Sequence, residues 1–234
     1  ISINATPTIN ATSSSATICS GATATLTGTG ASTYTWNPGS SVGGVYNVTP
    51  SATTIYTVSG TSVAGCSTTQ TLSLNVNTTP TVNALPSSAA ICSGNTTTLT
   101  GSGASTYAWS PGALAGTAVS VNPSTTTIYT VTGTSSGCTN TNTVSITVNI
   151  TPTVNAVGSS SAICSGATAT LTGTGASTYN WLPGGSTSSA ITVNPSTTTI
   201  YTLTGTGSTG CVNTKTLSLT INAIPTVSAT SSAA

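Results

Sequence analysis

A unit of about 73 residues is written three times along this chain, and each copy carries two cysteines at matching places. Ile-Cys-Ser-Gly begins at Ile18, Ile91 and Ile163, Ala-Ser-Thr-Tyr at Ala31, Ala104 and Ala176, and Thr-Thr-Ile-Tyr-Thr at Thr53, Thr126 and Thr198. Self-similarity at this period predicts a tandem array of small domains and points to reach, stiffness or multivalent display before it points to chemistry. Ile1-Ser2-Ile3-Asn4 matches Leu219-Thr220-Ile221-Asn222, and Pro225-Thr226-Val227 matches Pro7-Thr8-Ile9. The expected partition is therefore 1–5 as the end of a preceding repeat, repeats at 6–77, 78–150 and 151–223, and 224–234 as the start of a following one. With no methionine and no signal peptide, the chain reads as a segment of a longer, processed protein.

Alternation sets the fold class. Ala22, Ala24 and Leu26 alternate with Thr23, Thr25 and Thr27, and Val144, Ile146 and Val148 alternate with Ser145 and Thr147. Period-two patterning rich in Thr, Val and Ile marks half-buried strands, which sets this Thr/Ser-rich chain apart from disordered tracts of similar composition. No stretch has a helical period, and no apolar run approaches membrane-spanning length, so membrane insertion is not expected. In the first repeat a strand is expected after Pro7, then near 22–29, 33–36, 45–49, 54–60 and 69–77, with turns at Asn37-Pro38-Gly39, Gly43-Gly44 and Thr49-Pro50-Ser51. Short strands with turns every eight to twelve residues predict an all-β array of three small β-sandwich domains.

The chain has no Asp, Glu, His or Arg, and Lys215 is its only charged side chain. General acid–base catalysis, activation of a Ser or Thr nucleophile, and zinc or calcium binding lack their usual groups, so neither an enzyme, a cofactor nor a metal site is expected. Phosphate recognition needs clustered Lys and Arg, which excludes a nucleic-acid partner. A surface so poor in charge also lacks the repulsion that keeps ordinary proteins apart, which favours self-association.

So small a sandwich has a marginal core, and cysteines would reinforce it. Cys19 and Cys66 lie 47 residues apart, Cys92 and Cys138 46, and Cys164 and Cys211 47. One pair per repeat favours a bridge inside each domain, closing a loop worth about 4 kcal/mol in the chain-entropy argument. Disulfides imply an oxidising, extracellular or cell-surface location. Adjacent units meet at Thr78-Thr79-Pro80, Ile150-Thr151-Pro152 and Ala223-Ile224-Pro225 with no Gly/Ser linker, which predicts a semi-rigid, elongated string.

The order Cys19-Ser20-Gly21, Tyr34-Thr35-Trp36, Pro38-Gly39, Pro50-Ser51, Ile55-Tyr56-Thr57 and Gly65-Cys66 resembles the PKD-like or Ig-like repeats of very large Bacteroidota surface proteins, across all three units. The resemblance implies stalks of adhesins, including gliding-motility-associated proteins exported by the type IX route. Members of that group commonly carry acidic residues before the second cysteine, which this chain lacks, so the resemblance does not extend to metal-dependent rigidity.

Tyr34 with Trp36, Tyr107 with Trp109, and Tyr179 with Trp181 sit two apart on strands and so share a face. Buried, they are the core of each sandwich, the favoured reading; exposed, they would form a sugar-stacking or partner-binding stripe. Sequons at Asn4, Asn10, Asn47, Asn77, Asn95 and Asn149 arise easily by chance in a Thr- and Asn-rich sequence. Three functions follow as expectations: a non-enzymatic stalk or fibre segment whose partners are its neighbouring repeats, a filament with lateral contacts between chains, and a multivalent array for a surface glycan or protein.

Overall fold

The computed structural model describes residues 4–230, all of whose regular structure is β-strand. Ile1, Ser2 and Ile3, which enter the first terminal match above, and the last four residues of the expected following repeat lie outside the described residues. The first repeat comprises β1 (Asn10–Ser13), β2 (Thr17–Cys19), β3 (Ala24–Thr29), β4 (Thr33–Asn37), β5 (Ser41–Val42), β6 (Val45–Val48), β7 (Thr54–Thr61) and β8 (Ser67–Asn77). Six of these fall where alternation and turn residues place them. The short strands β2 and β5 are additional.

The strands form two sheets, one in the order β1-β3-β6 and the other in the order β2-β8-β7-β4-β5. All neighbours are antiparallel except β2, which leaves the sheet of β1 and runs parallel to the end of β8, with Thr17 opposite Asn75 and Cys19 opposite Asn77. Alternation turns one side of each sheet inward. Ala24, Leu26 and Val48 from the three-stranded sheet meet Trp36, Tyr56, Val58 and Leu74 from the other. This is an Ig-like β-sandwich. The outward residues of the larger sheet are mostly Thr and Ser, including Thr35, Thr57, Ser59, Thr69 and Thr71.

The third repeat repeats the plan. Asn155–Gly158, Ala169–Thr174 and Ala190–Val193 form one sheet; Ala162–Cys164, Val212–Asn222, Thr199–Thr206 and Thr178–Leu182 form the other. Its core is Val154, Ala156, Ala169, Leu171, Trp181, Tyr201, Leu203 and Leu219. Contacts group the chain into two compact units that cut through the second repeat. One runs to Ser87 and adds Thr98–Val121 and Ile128–Ser145; the other holds Ser88–Thr97, Asn122–Thr127 and the chain from Ile146 onward. The second repeat is thus divided between the two units, with most of its residues in the first.

Candidate functional site

Each repeated phrase has a structural task. The Tyr34 hydroxyl accepts a hydrogen bond from the Ala31 amide (2.7 Å) and donates one to the Ala31 carbonyl (2.8 Å), clamping the turn before β4. Tyr107 holds Ala104 and Tyr179 holds Ala176 in the same way, which explains Ala-Ser-Thr-Tyr. Trp36, Trp109 and Trp181 are 0%, 1% and 0% exposed, and their indole N–H groups donate to the carbonyls of Gly43, Gly116 and Ser188, each at 3.1 Å. Tyr107 is buried, while Tyr34 and Tyr179 are half-buried against the cores of their repeats. The indole rings therefore present no stacking stripe to a ligand. In Thr-Thr-Ile-Tyr-Thr, the first Thr (Thr53, Thr126, Thr198) accepts a hydrogen bond at 3.0 Å from a backbone amide of the last strand, that of Val76, Val148 or Ile221.

The cysteines do not pair within repeats. Cys19 is bonded to Cys138 and Cys92 to Cys211, each pair 119 residues apart in sequence with Cα atoms 5.6 Å apart. Cys66 and Cys164 are unpaired thiols. This corrects the expected Cys19–Cys66, Cys92–Cys138 and Cys164–Cys211 bridges, and the strand register gives the reason. Cys19 stands opposite Asn77, the last residue of β8, whereas Cys66 immediately precedes Ser67, the first residue of the same strand. Eleven residues of strand separate the two by about 35 Å, and a disulfide needs Cα atoms within about 7 Å. The third repeat has the same arrangement, with Cys164 opposite Asn222 and Cys211 just ahead of Val212.

Instead the cysteines meet at the joints. At the first, the disulfide lies beside Asn77, whose carbonyl oxygen is 3.8 Å from Cys138 Sγ and whose side-chain amide donates to the Ser136 carbonyl at 2.7 Å. Gly137, with φ of 78°, turns the hairpin that presents Cys138, a conformation glycine takes without strain. Asn140 donates to the Pro80 carbonyl and Asn142 to the Val82 carbonyl, both at 3.0 Å, tying the start of the last strand of the second repeat to the segment that enters that repeat. At the second joint, Cys211 Sγ lies 3.9 Å from the Asn149 carbonyl, Asn213 donates to the Pro152 carbonyl at 3.0 Å, and Thr151 Oγ1 reaches the Ser93 carbonyl at 3.5 Å. Cys138 and Cys211 are 1% and 0% exposed, so both bonds are shielded. An open cavity beside this joint is lined by neutral groups, among them Asn149, Pro152, Ser177 and Thr209.

Polar groups at these joints are carbonyls, amides and hydroxyls, with Lys215 the one charge on the last strand of the third repeat. Such groups bond, orient and hydrate, and supply no proton-transfer chemistry near neutral pH. The described residues contain no cluster of three metal-ligating side chains, and no helix long and apolar enough to cross a membrane.

No protein-family model and no curated protein matches this sequence. Among solved structures, a three-domain immunoglobulin fragment of titin is 16% identical, with a TM-score of 0.49 over 95% of this chain and 100% of that one. A structure from a 1.5-MDa bacterial ice-binding adhesin is 17% identical, with a TM-score of 0.33 over 94% and 100%. A Ca2+-stabilised adhesin of an Antarctic bacterium is 18% identical, with a TM-score of 0.36 over 93% and 74%. Identities and scores of this size assign no function.

Proposed function

We propose that this chain is a non-enzymatic structural segment of a long extracellular, adhesin-type protein, in which Ig-like repeats at 6–77, 78–150 and 151–223 follow one another as an elongated, disulfide-stapled stalk. The observation that carries this reading is that both disulfides join successive repeats and neither closes a single one. A small domain short of core would use its cysteines internally; spending them on the joints restricts bending between domains instead. Proline at position 80 and at position 152, each with its carbonyl bonded by an asparagine, works to the same end. The two disulfides support a working compartment outside the reducing cytosol.

Small-angle scattering tests the stalk. Three repeats in line, each about 36 Å long by the length of its last strand, give a radius of gyration of about 30–35 Å. A compact body of 234 residues has about 17 Å, and that value would overturn the reading. Lateral assembly into filaments is the second reading, favoured by Ile55, Ile128 and Ile200, each 64% exposed at the same position of its repeat. Under that reading the forward scattering per unit mass and the apparent radius of gyration rise with protein concentration, whereas an unassembled stalk leaves both unchanged.

A further inference from the structure

Cys66 and Cys164 are held in the same settings as the cysteines that are bonded. Cys66 Sγ lies 3.7 Å from the carbonyl oxygen of Asn4, and the bonded Cys138 and Cys211 lie 3.8 Å from that of Asn77 and 3.9 Å from that of Asn149. The hairpin ahead of Cys66 carries Gly65 at φ of 82°, as Gly137 and Gly210 stand at 78° and 85°. At the other end, Cys164 stands opposite Asn222 and is followed by Ser165, whose amide donates to the Asn222 carbonyl at 3.0 Å. Cys19 and Cys92 stand opposite Asn77 and Asn149, with Ser20 and Ser93 donating to the carbonyls of those asparagines at 2.9 Å in each case. Two kinds of cysteine position therefore exist, and each bond joins the first kind in one repeat to the second kind in the repeat after it.

We propose that Cys66 and Cys164 are the two open halves of this same clasp. Cys66 takes the first-position cysteine of an Ig-like repeat set before it, and Cys164 takes the second-position cysteine of one set after it. The partner is another repeat of this kind, supplied by the same polypeptide or by a second copy of this chain; one copy carries both complementary halves, so Cys164 of one meets Cys66 of the next. With a second copy, Asn222 of one chain takes the place that Asn4 holds beside Cys66 in the other, and Asn4, exposed and outside any strand, can give way.

Bond formation requires a disulfide oxidant, such as oxidised glutathione. The Cys164 thiolate attacks one glutathione sulfur, forming a mixed disulfide and releasing one glutathione thiolate. The Cys66 thiolate then attacks the Cys164 sulfur and releases the second. The two thiol protons pass to the leaving groups, glutathione takes both electrons, and one protein disulfide results.

The proposal rests on the stalk reading for its arrangement of repeats, but its test counts thiols and bonded peptides, whereas the stalk is tested by scattering. In one arm, the full chain in 15N-labelled and unlabelled form is mixed in a glutathione redox buffer and mapped by mass spectrometry without reductant. In the other, residues 1–222 are followed in frame by a second copy beginning at Ala5. A Cys164–Cys66 bond between labelled and unlabelled copies supports the proposal with a second copy as partner, and C66S abolishes it. A monomeric chain, together with a duplicated chain that has two free thiols and a bond from Cys164 of its first half to Cys66 of its second, supports it with the following repeat as partner. Four free thiols in the duplicated chain without intermolecular bonds, a Cys164–Cys211 bond, or random pairing between copies would overturn it.

Discussion

At the scale of single residues, the recurring tyrosines and the missing carboxylates have separate consequences. Tyr107 holds both the amide and the carbonyl of Ala104 at 2.7 Å while its ring fills the interior. Tyr107→Phe keeps the ring and leaves two partly buried backbone groups unpartnered, so a loss of about 1–3 kcal/mol is expected in urea titration. A variant indistinguishable from the parent would show that water replaces the hydroxyl. Tyr56 is pushed above the usual 10.0 by burial first and by Tyr46 second, against a smaller lowering from the hydrogen bond to Thr54; burial raises Tyr201 likewise. The unfolded chain ionises these tyrosines first. Their contribution to stability is thus complete below pH 10 and lost as pH climbs through the raised folded values. With no Asp, Glu or His to titrate in acid, the thermal midpoint should stay level from about pH 4 to 8 and fall above about pH 10. A midpoint that drops in acid would contradict this.

Among the elements, β2 separates what could be read from the sequence from what could not. Alternation and turn residues locate β3, β4, β6, β7 and β8 because each obeys a local rule: inward residues at every second position and a Gly, Pro or Asn where the chain reverses. The Trp of each Tyr-x-Trp phrase is also legible as core, since few other side chains are large enough to fill the sandwich. β2 is three residues long, with no full alternation, and its pairing is parallel to a strand more than fifty residues away. No local pattern encodes that register, yet it decides that Cys19 lies at the far end of the repeat from Cys66. One pair per repeat favours internal bonding, yet the same count fits staggered bonding equally well, and only the strand register decides between them. Cys19→Ser with Cys138→Ser removes a bond that closes a 119-residue loop, worth up to about 4–5 kcal/mol to the unit that holds it. Peptide mapping of this variant should still find Cys92 bonded to Cys211; a Cys92–Cys66 bond would instead show that the pairs form without regard to strand register.

For the molecule as a whole, the staggered bonds interlock. The loop from Cys19 to Cys138 overlaps the loop from Cys92 to Cys211, and the shared stretch is the 46 residues from Cys92 to Cys138. A pull between residues 19 and 211 crosses the first bond to Cys138, follows that shared stretch back to Cys92, and crosses the second bond to Cys211. Even with every strand unravelled, only the shared stretch can lengthen along this route, to about 155 Å at roughly 3.4 Å per residue. Reduction opens the entire path between the two cysteines, about 650 Å by the same measure. Single-molecule extension of the oxidised chain should therefore stop near the shorter length and step to the longer one when a reductant is added. Equal final lengths in the two conditions would show that the bonds do not limit extension, and with them the mechanical reading of the joints would fall.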